Sequence, residues 1–314
     1  MILAQGLCKS IGQTPVLTDV TFHLEAGECL ALLGANGSGK SQLLQLIATL
    51  TKPTAGSLSV AGYDAVSQAQ AIRPLIGYVP AVFEGYDDLS PQAYLEFFAS
   101  AYKLPRNSRA ASIQDVLALV DLTALRQQNI GVLSFGQRLR LCFAKAFLHD
   151  ASIWLLDNAL ASLDPQGRTE MAVLIQELGV MGKTVVLATN HLSDVTAACQ
   201  RVGVLHQGRL VFFGGQNEIQ RFFEGSYRLV IRVASDVLQA QALVTARDDV
   251  NVIEVIDSEL VLETQMEDMG ISNLLKGLFN AGVHVVEAYK VGDRLPDLFT
   301  AVTSRELQGL GVRD

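Results

Sequence analysis

Lys40 and Ser41 close an eight-residue run, Gly34-Ala35-Asn36-Gly37-Ser38-Gly39-Lys40-Ser41, that reads G-x-x-x-x-G-K-[ST]. These residue types at this spacing suit the gripping of a phosphate chain. Glycines let consecutive backbone N–H groups curl around an anion, and a helix beginning at the end of the loop adds its dipole. The Lys40 ammonium is placed to reach the β- and γ-phosphates, and the Ser41 hydroxyl is a hard oxygen ligand for Mg²⁺. Asn36, Gly37, Ser38, Gly39, Lys40 and Ser41 are therefore the candidate cofactor-binding residues, with ATP and Mg²⁺ as the implied cofactors. A second candidate is Asp157, which ends the apolar run Ser152-Ile153-Trp154-Leu155-Leu156. A carboxylate at the tip of a buried strand can orient the shell of the same Mg²⁺, here through water.

Such a loop works only when a strand delivers it and a helix receives it. Cys29-Leu30-Ala31-Leu32-Leu33 has the length and continuity of a buried strand, and Gln42–Ile47 carries an apolar stripe at helical spacing. Ahead of these, Val16–Leu24 alternates as a strand with one buried face, and Gly56–Tyr63 and Ile76–Pro80 read as further strands. From Ser90 to about Asp150 the period turns helical. Tyr94, Phe97, Phe98, Ala101 and Tyr102 share one face, expected to be core. The strand ending in Asp157 is followed by a helix over about 167–179 and a strand at Thr184–Thr189. Alternating strands and helices predict a mainly parallel, doubly wound α/β sheet with its ligand at the carboxyl ends of the strands.

A break falls near Glu224-Gly225-Ser226. Beyond it the order is strand 227–233, helix 236–246, strand 250–256, strand 259–264, helix 271–280 and strand 283–288, with a last helix from about Leu295. This β-α-β-β-α-β order predicts a small ferredoxin-like α+β domain. The expected domains are 1–225, containing a helical subdomain at about 88–150, and 226–314. The second contains no glycine-rich loop or Cys/His cluster and reads as an accessory or dimer-contacting domain.

With 314 residues, two domains are the natural expectation. Nearly half the chain is apolar and 18% is charged, which suits filled cores. A net charge of −8 argues against nucleic acid as a partner, since neutralising phosphates requires a basic face. No apolar run reaches the length of a membrane span, and Met1–Gln5 lacks a basic signal-peptide start. Cys8, Cys29, Cys142 and Cys199 are scattered without C-x-x-C spacing and read as small buried hydrophobes rather than a disulfide or metal framework.

With the phosphate loop, Leu133-Ser134-Phe135-Gly136-Gln137 and Trp154-Leu155-Leu156-Asp157 in that order, the chain resembles the ATP-binding-cassette (ABC) ATPases. In particular it resembles ATP-binding subunits of bacterial ABC-2-type exporters. Gly77-Tyr78-Val79-Pro80, Tyr86–Ser90, Ser162-Leu163-Asp164-Pro165, Leu192-Ser193-Asp194-Val195 and Arg201–Leu210 support the likeness, which covers about residues 1–225. The small C-terminal domain also looks like the one such subunits carry. The resemblance implies a P-loop NTPase cassette with antiparallel N-terminal strands and a helical signature subdomain. It further implies a head-to-tail dimer with ATP between one subunit's phosphate loop and the other's signature, in which Ser134, Gly136 and Gln137 serve the partner's nucleotide. The expected partners are a transmembrane permease and a second ATP-binding subunit. The expected location is peripheral, at the cytoplasmic face of the inner (plasma) membrane. A soluble, nucleotide-gated regulator not coupled to transport is the alternative.

Where the family hydrolyses ATP, this sequence departs from it. Asn158 follows Asp157 in place of a glutamate, and an amide cannot take a proton from water near neutral pH. Aligning Leu192–Val195 puts Asn190 at the switch-histidine position and His191 one residue late, on the opposite face of an extended segment. An alignment slipped by one makes His191 the switch. The loop glutamine is Ala81, and the aromatic expected against adenine is Ile11, which keeps apolar contact without a π-face. No residue is assigned as catalytic, and the expectation is an ATP-binding chain whose own hydrolysis is weak or absent.

Overall fold

A computed structural model describes residues 1–290 apart from 84, 162, 164, 193, 195–198, 217, 219–226, 248, 265 and 267. The break near 224–226, the helix from Leu295, and parts of the Ser162–Pro165 and Leu192–Val195 motifs lie outside the described residues. The chain divides into two compact units, the first running from Met1 to Gln216 and the second beginning at Asn217.

The first unit holds two sheets. Strands β1 (Ile2–Ile11), β2 (Thr14–Leu24), β4 (Ala55–Val60) and the short β5 (Tyr63–Asp64) pair antiparallel in the order β2-β1-β4-β5. The larger sheet takes β3 (Cys29–Leu33), β6 (Ile76–Val79), β7 (Ile153–Asp157), β8 (Thr184–Thr189), β9 (Arg201–His206) and β10 (Arg209–Gly215) in the order β10-β9-β3-β8-β7-β6. Within it β9, β3, β8, β7 and β6 run parallel and only β10 runs against its neighbour. Every residue of β3, β7 and β8 is buried. That explains their continuous apolar sequences, since strands covered on both faces lose the alternation seen in β2.

This strand order fixes the site. The phosphate loop leaves β3, Asn158 follows β7, Asn190 follows β8 and Ala81 lies just past β6, so four carboxyl ends open on the same edge. Helix α1 (Lys40–Ile47) packs against the sheet through Leu43, Leu44, Leu46 and Ile47, all at most 1% exposed. The helical stretch resolves, after the short α2 (Ala69–Ile72), into α3 (Pro91–Ala101), α4 (Arg106–Leu119) and α5 (Phe135–Leu148). Of the aromatic face on α3, Tyr94 is fully buried, whereas Phe97 is 56% exposed, which corrects the expectation of a uniformly buried stripe. Trp154 on β7 is fully buried against Phe143 and Phe147 of α5, and its indole N–H donates to the Ala151 carbonyl at 3.0 Å. That anchor ties α5 to the strand that carries Asp157. Helix α6 (Pro165–Val180) precedes β8 and packs on it through Met171, Ile175 and Leu178.

Cys29 and Cys199 are joined in a disulfide across 170 residues of sequence. The expectation of unpaired cysteines fails because β3 and β9 are neighbours, a pairing that spacing along the chain does not reveal. Cys8 and Cys142 are free.

The second unit has β11 (Tyr227–Val233), α7 (Val237–Thr245), β12 (Val250–Ile256), β13 (Glu259–Thr264), α8 (Asp268–Asn280) and β14 (Val285–Lys290). Its antiparallel sheet runs β12-β13-β11-β14, the order of a split βαβ arrangement. Leu229, Ile231, Leu260 and Leu262 meet Ala240, Val244, Leu274 and Leu278 of the helices in a separate core.

Candidate nucleotide site

A cavity of about 200 Å³ opens over the phosphate loop, lined by Asn36 to Gln42 together with Val16, Ala81, Asp157, Asn158 and Asn190. Two glycines make the loop possible. At Gly34 an added Cβ would stand 2.3 Å from Ser38 Oγ and 2.6 Å from the Leu205 carbonyl, so only glycine fits. Gly39, at φ 105°, turns the chain into α1 in the left-handed region that β-carbons disfavour, and its carbonyl receives the Leu43 N–H at 3.0 Å.

Lys40 folds back over the loop and donates to the carbonyls of Gly34 at 2.6 Å and Ala35 at 2.9 Å. Burial lowers its pKa to about 8, with the nearby Asp157 charge opposing. Asp157 is buried at the tip of β7. Its Oδ1 accepts from Ser41 Oγ at 2.8 Å and its Oδ2 from the Tyr78 hydroxyl at 3.2 Å. Burial raises the Asp157 carboxyl, while the two hydroxyl bonds and the Lys40 charge hold it down.

Asn190 leaves β8 and donates from Nδ2 to Asn36 Oδ1 at 2.7 Å, tying the β8 end to the crown of the loop. The neighbouring His191 donates its backbone N–H to Thr189 Oγ1 at 3.0 Å and does not line the cavity. Thr189 Oγ1 in turn donates to buried Asp194. Asn158 takes a left-handed backbone, φ 51°, and donates its N–H to the Ala188 carbonyl at 3.0 Å. Asparagine tolerates that conformation better than most residues. Both Asn158 Oδ1 and Asn190 Oδ1 are buried without a hydrogen-bond partner among the described residues. Two orphaned acceptors at the wall of a phosphate-sized cavity are what a ligand or its water would satisfy.

Ile11 ends β1 and is 56% exposed; it is not among the residues that line the loop cavity, whose lining includes Val16. Ser134, Gly136 and Gln137 lie at a different opening, a cavity of about 340 Å³ that they share with Arg140, Leu163 and Glu170. Ser134 caps α5: its Oγ accepts the Gln137 N–H at 3.3 Å, and Gln137 Oε1 accepts the Ser134 N–H at 2.9 Å. The S-x-x-Q spacing is that of a capping box. It uses the Ser134 oxygen as an acceptor and leaves its O–H proton free for an anion. Sequence reasoning missed Tyr78, whose place beside Asp157 depends on β6 lying next to β7, and Gln42, which follows the loop motif directly.

Residues 17–161 match the ABC transporter family. The linearmycin resistance ATP-binding protein of Bacillus subtilis is 25% identical over 312 residues, spanning 98% of this chain and all of that protein. An uncharacterised ABC transporter ATP-binding protein of the same organism is 31% identical over 221 residues, 70% of this chain and 73% of its own. Among solved structures, an ATP-binding subunit of an ABC transporter superposes with a TM-score of 0.65 at 26% identity, over 71% of this chain and 93% of that one. The loop, the Asp157 strand, the capped signature helix and this breadth of similarity agree, and the chain belongs to the ATP-binding proteins of ABC transporters.

Proposed function

We propose that this chain is the ATP-binding subunit of an ABC-2-type exporter, and that it holds Mg²⁺-ATP while hydrolysing it weakly or not at all. The observation that carries the reading is the composition of the loop cavity. The groups that grip are present (Lys40, Ser41, Asp157), whereas the wall positions that would handle water are Ala81, Asn158 and Asn190. Neither Asn158 nor Asn190 can accept a proton near neutral pH, so general-base attack lacks its base.

The donor set fits the cofactors. Ser41 and Asp157 offer hard oxygens suited to Mg²⁺, and Lys40 with the loop N–H groups would hold the phosphates. Mg²⁺ would supply charge neutralisation between the β- and γ-phosphates. Lys40 now rests on carbonyl oxygens that stand in for phosphate oxygens.

Ser134, Gly136 and Gln137, at the N-terminus of α5, would serve the nucleotide of a second ATP-binding subunit in a head-to-tail dimer. If that subunit has its own glutamate and histidine, the pair has one working site; with a second copy of this chain it would be an ATP-responsive clamp. No helix among the described residues is long and apolar enough to cross a membrane. A permease would therefore provide the path, with this chain at its cytoplasmic face. Kinship with a resistance protein supports outward movement.

The test is turnover by the purified chain beside the double variant Asn158→Glu, Asn190→His. Near-zero turnover in the wild type with a rise of at least tenfold in the variant is expected, on the ~10²–10⁴-fold contribution of a placed acid–base group. Wild-type turnover that Lys40→Ala abolishes would refute the weak-hydrolysis reading.

A further inference from the structure

The Asp157 carboxylate is held by two hydroxyls, one from the phosphate loop and one from outside it. Ser41 takes Oδ1, as the loop motif leads one to expect. Tyr78 takes Oδ2 at 3.2 Å from the adjacent strand. In the β6–β7 pairing Tyr78 stands opposite Leu155, so its ring projects from the same face of the sheet as Asp157, two residues further on. The ring is half-buried against the main core. Its backbone carbonyl accepts from Lys145 of α5 at 3.4 Å.

We propose that Tyr78 is a positioning residue for the metal-binding carboxylate, through the hydrogen bond from its hydroxyl to Asp157 Oδ2. A metal ion held by Ser41 Oγ would compete with Asp157 Oδ1 for that hydroxyl. Tyr78 is outside the cavity and has no such second task, so it keeps Oδ2 pinned and leaves Oδ1 for the metal's water. This rests on the Mg²⁺-ATP reading above. Groups that orient metal ligands typically change metal affinity by about 10–100-fold when removed.

The experiment measures ATP affinity of the full chain in Mg²⁺ and in EDTA, for wild type and Tyr78→Phe, with a thermal melt of each. Wild type should bind more tightly in Mg²⁺. Tyr78→Phe should cut that Mg²⁺ enhancement by about tenfold, with the EDTA affinity within about twofold of wild type and the melt little changed. A merely structural tyrosine would shift the melt and both affinities together, which would overturn the proposal. So would an undiminished Mg²⁺ enhancement in Tyr78→Phe. Absence of Mg²⁺-enhanced ATP binding in the wild type would overturn the proposal together with the reading beneath it, and is distinguished by appearing before any substitution is made.

Discussion

Two openings in the first unit are built from the same materials, a helix N-terminus, glycine and a serine, yet they are finished differently. Around Lys40 the loop is dense with donors, but its far wall carries amides and an alanine, and two buried amide oxygens there have no partner among the described residues. Around Ser134 the capping box is complete, α5 is clamped to β7 through Trp154, and Gly136 is so loosely surrounded that an added Cβ would meet only Leu163, at 3.7 Å. On the reading proposed above, one region grips a triphosphate without the means to cut it, and the other keeps the donors that a partner's nucleotide would need. That reading makes nucleotide affinity and hydrolytic competence separable, with the groups for each on different strand ends.

Lys40→Ala is the harshest way to break the contrast. It should weaken ATP binding roughly 100-fold, ~2.7 kcal/mol, because a charge-assisted contact to two phosphates is lost; titration calorimetry on the isolated chain measures it. Ser134→Ala tests the other region. It should leave ATP affinity of the isolated chain unchanged and lower turnover of a mixed dimer with a hydrolysis-competent subunit by about 10-fold or more. The lost cap should lower stability by ~1 kcal/mol, visible in a melt. Equal effects of the two substitutions on isolated-chain affinity would erase the distinction drawn here.

The smallest effect is on pH. The free Lys40 amine is held down to about 8 by burial, and a bound phosphate favours its charged form. Bound protein therefore carries more protons than free protein above that pH. Affinity from this group is complete below pH 8 and falls as pH rises, by about fivefold between pH 8 and 9. Calorimetry at pH 7, 8 and 9 reads it, and the drop should vanish in Lys40→Ala.

Much of the gripping half was legible because it is local. Gly34 to Ser41 is one contiguous loop whose function follows from glycine conformations and the helix it starts. The continuous apolar runs of β3, β7 and β8 announced strands covered on both faces, and the β-α-β-β-α-β order of the second unit could be read from period alone. The exposed Phe97 marks the limit of such reading, since periodicity says which residues share a face and not whether a neighbour covers it.

By itself the sequence determined that a phosphate-gripping loop exists, that an aspartate ends a buried strand, and that Asn158 follows it, where the resemblance implies a glutamate. Those are statements about adjacent residues. The strand order β9-β3-β8-β7-β6 was decided only in three dimensions, and with it everything that depends on neighbours distant in sequence. Asn190 faces Asn36 across 154 residues, Cys29 meets Cys199 across 170, and Tyr78 reaches Asp157 across 79. Hydrogen bonds and side-chain packing act over a few ångströms, so such contacts exist only once the parallel sheet has brought those strand ends together.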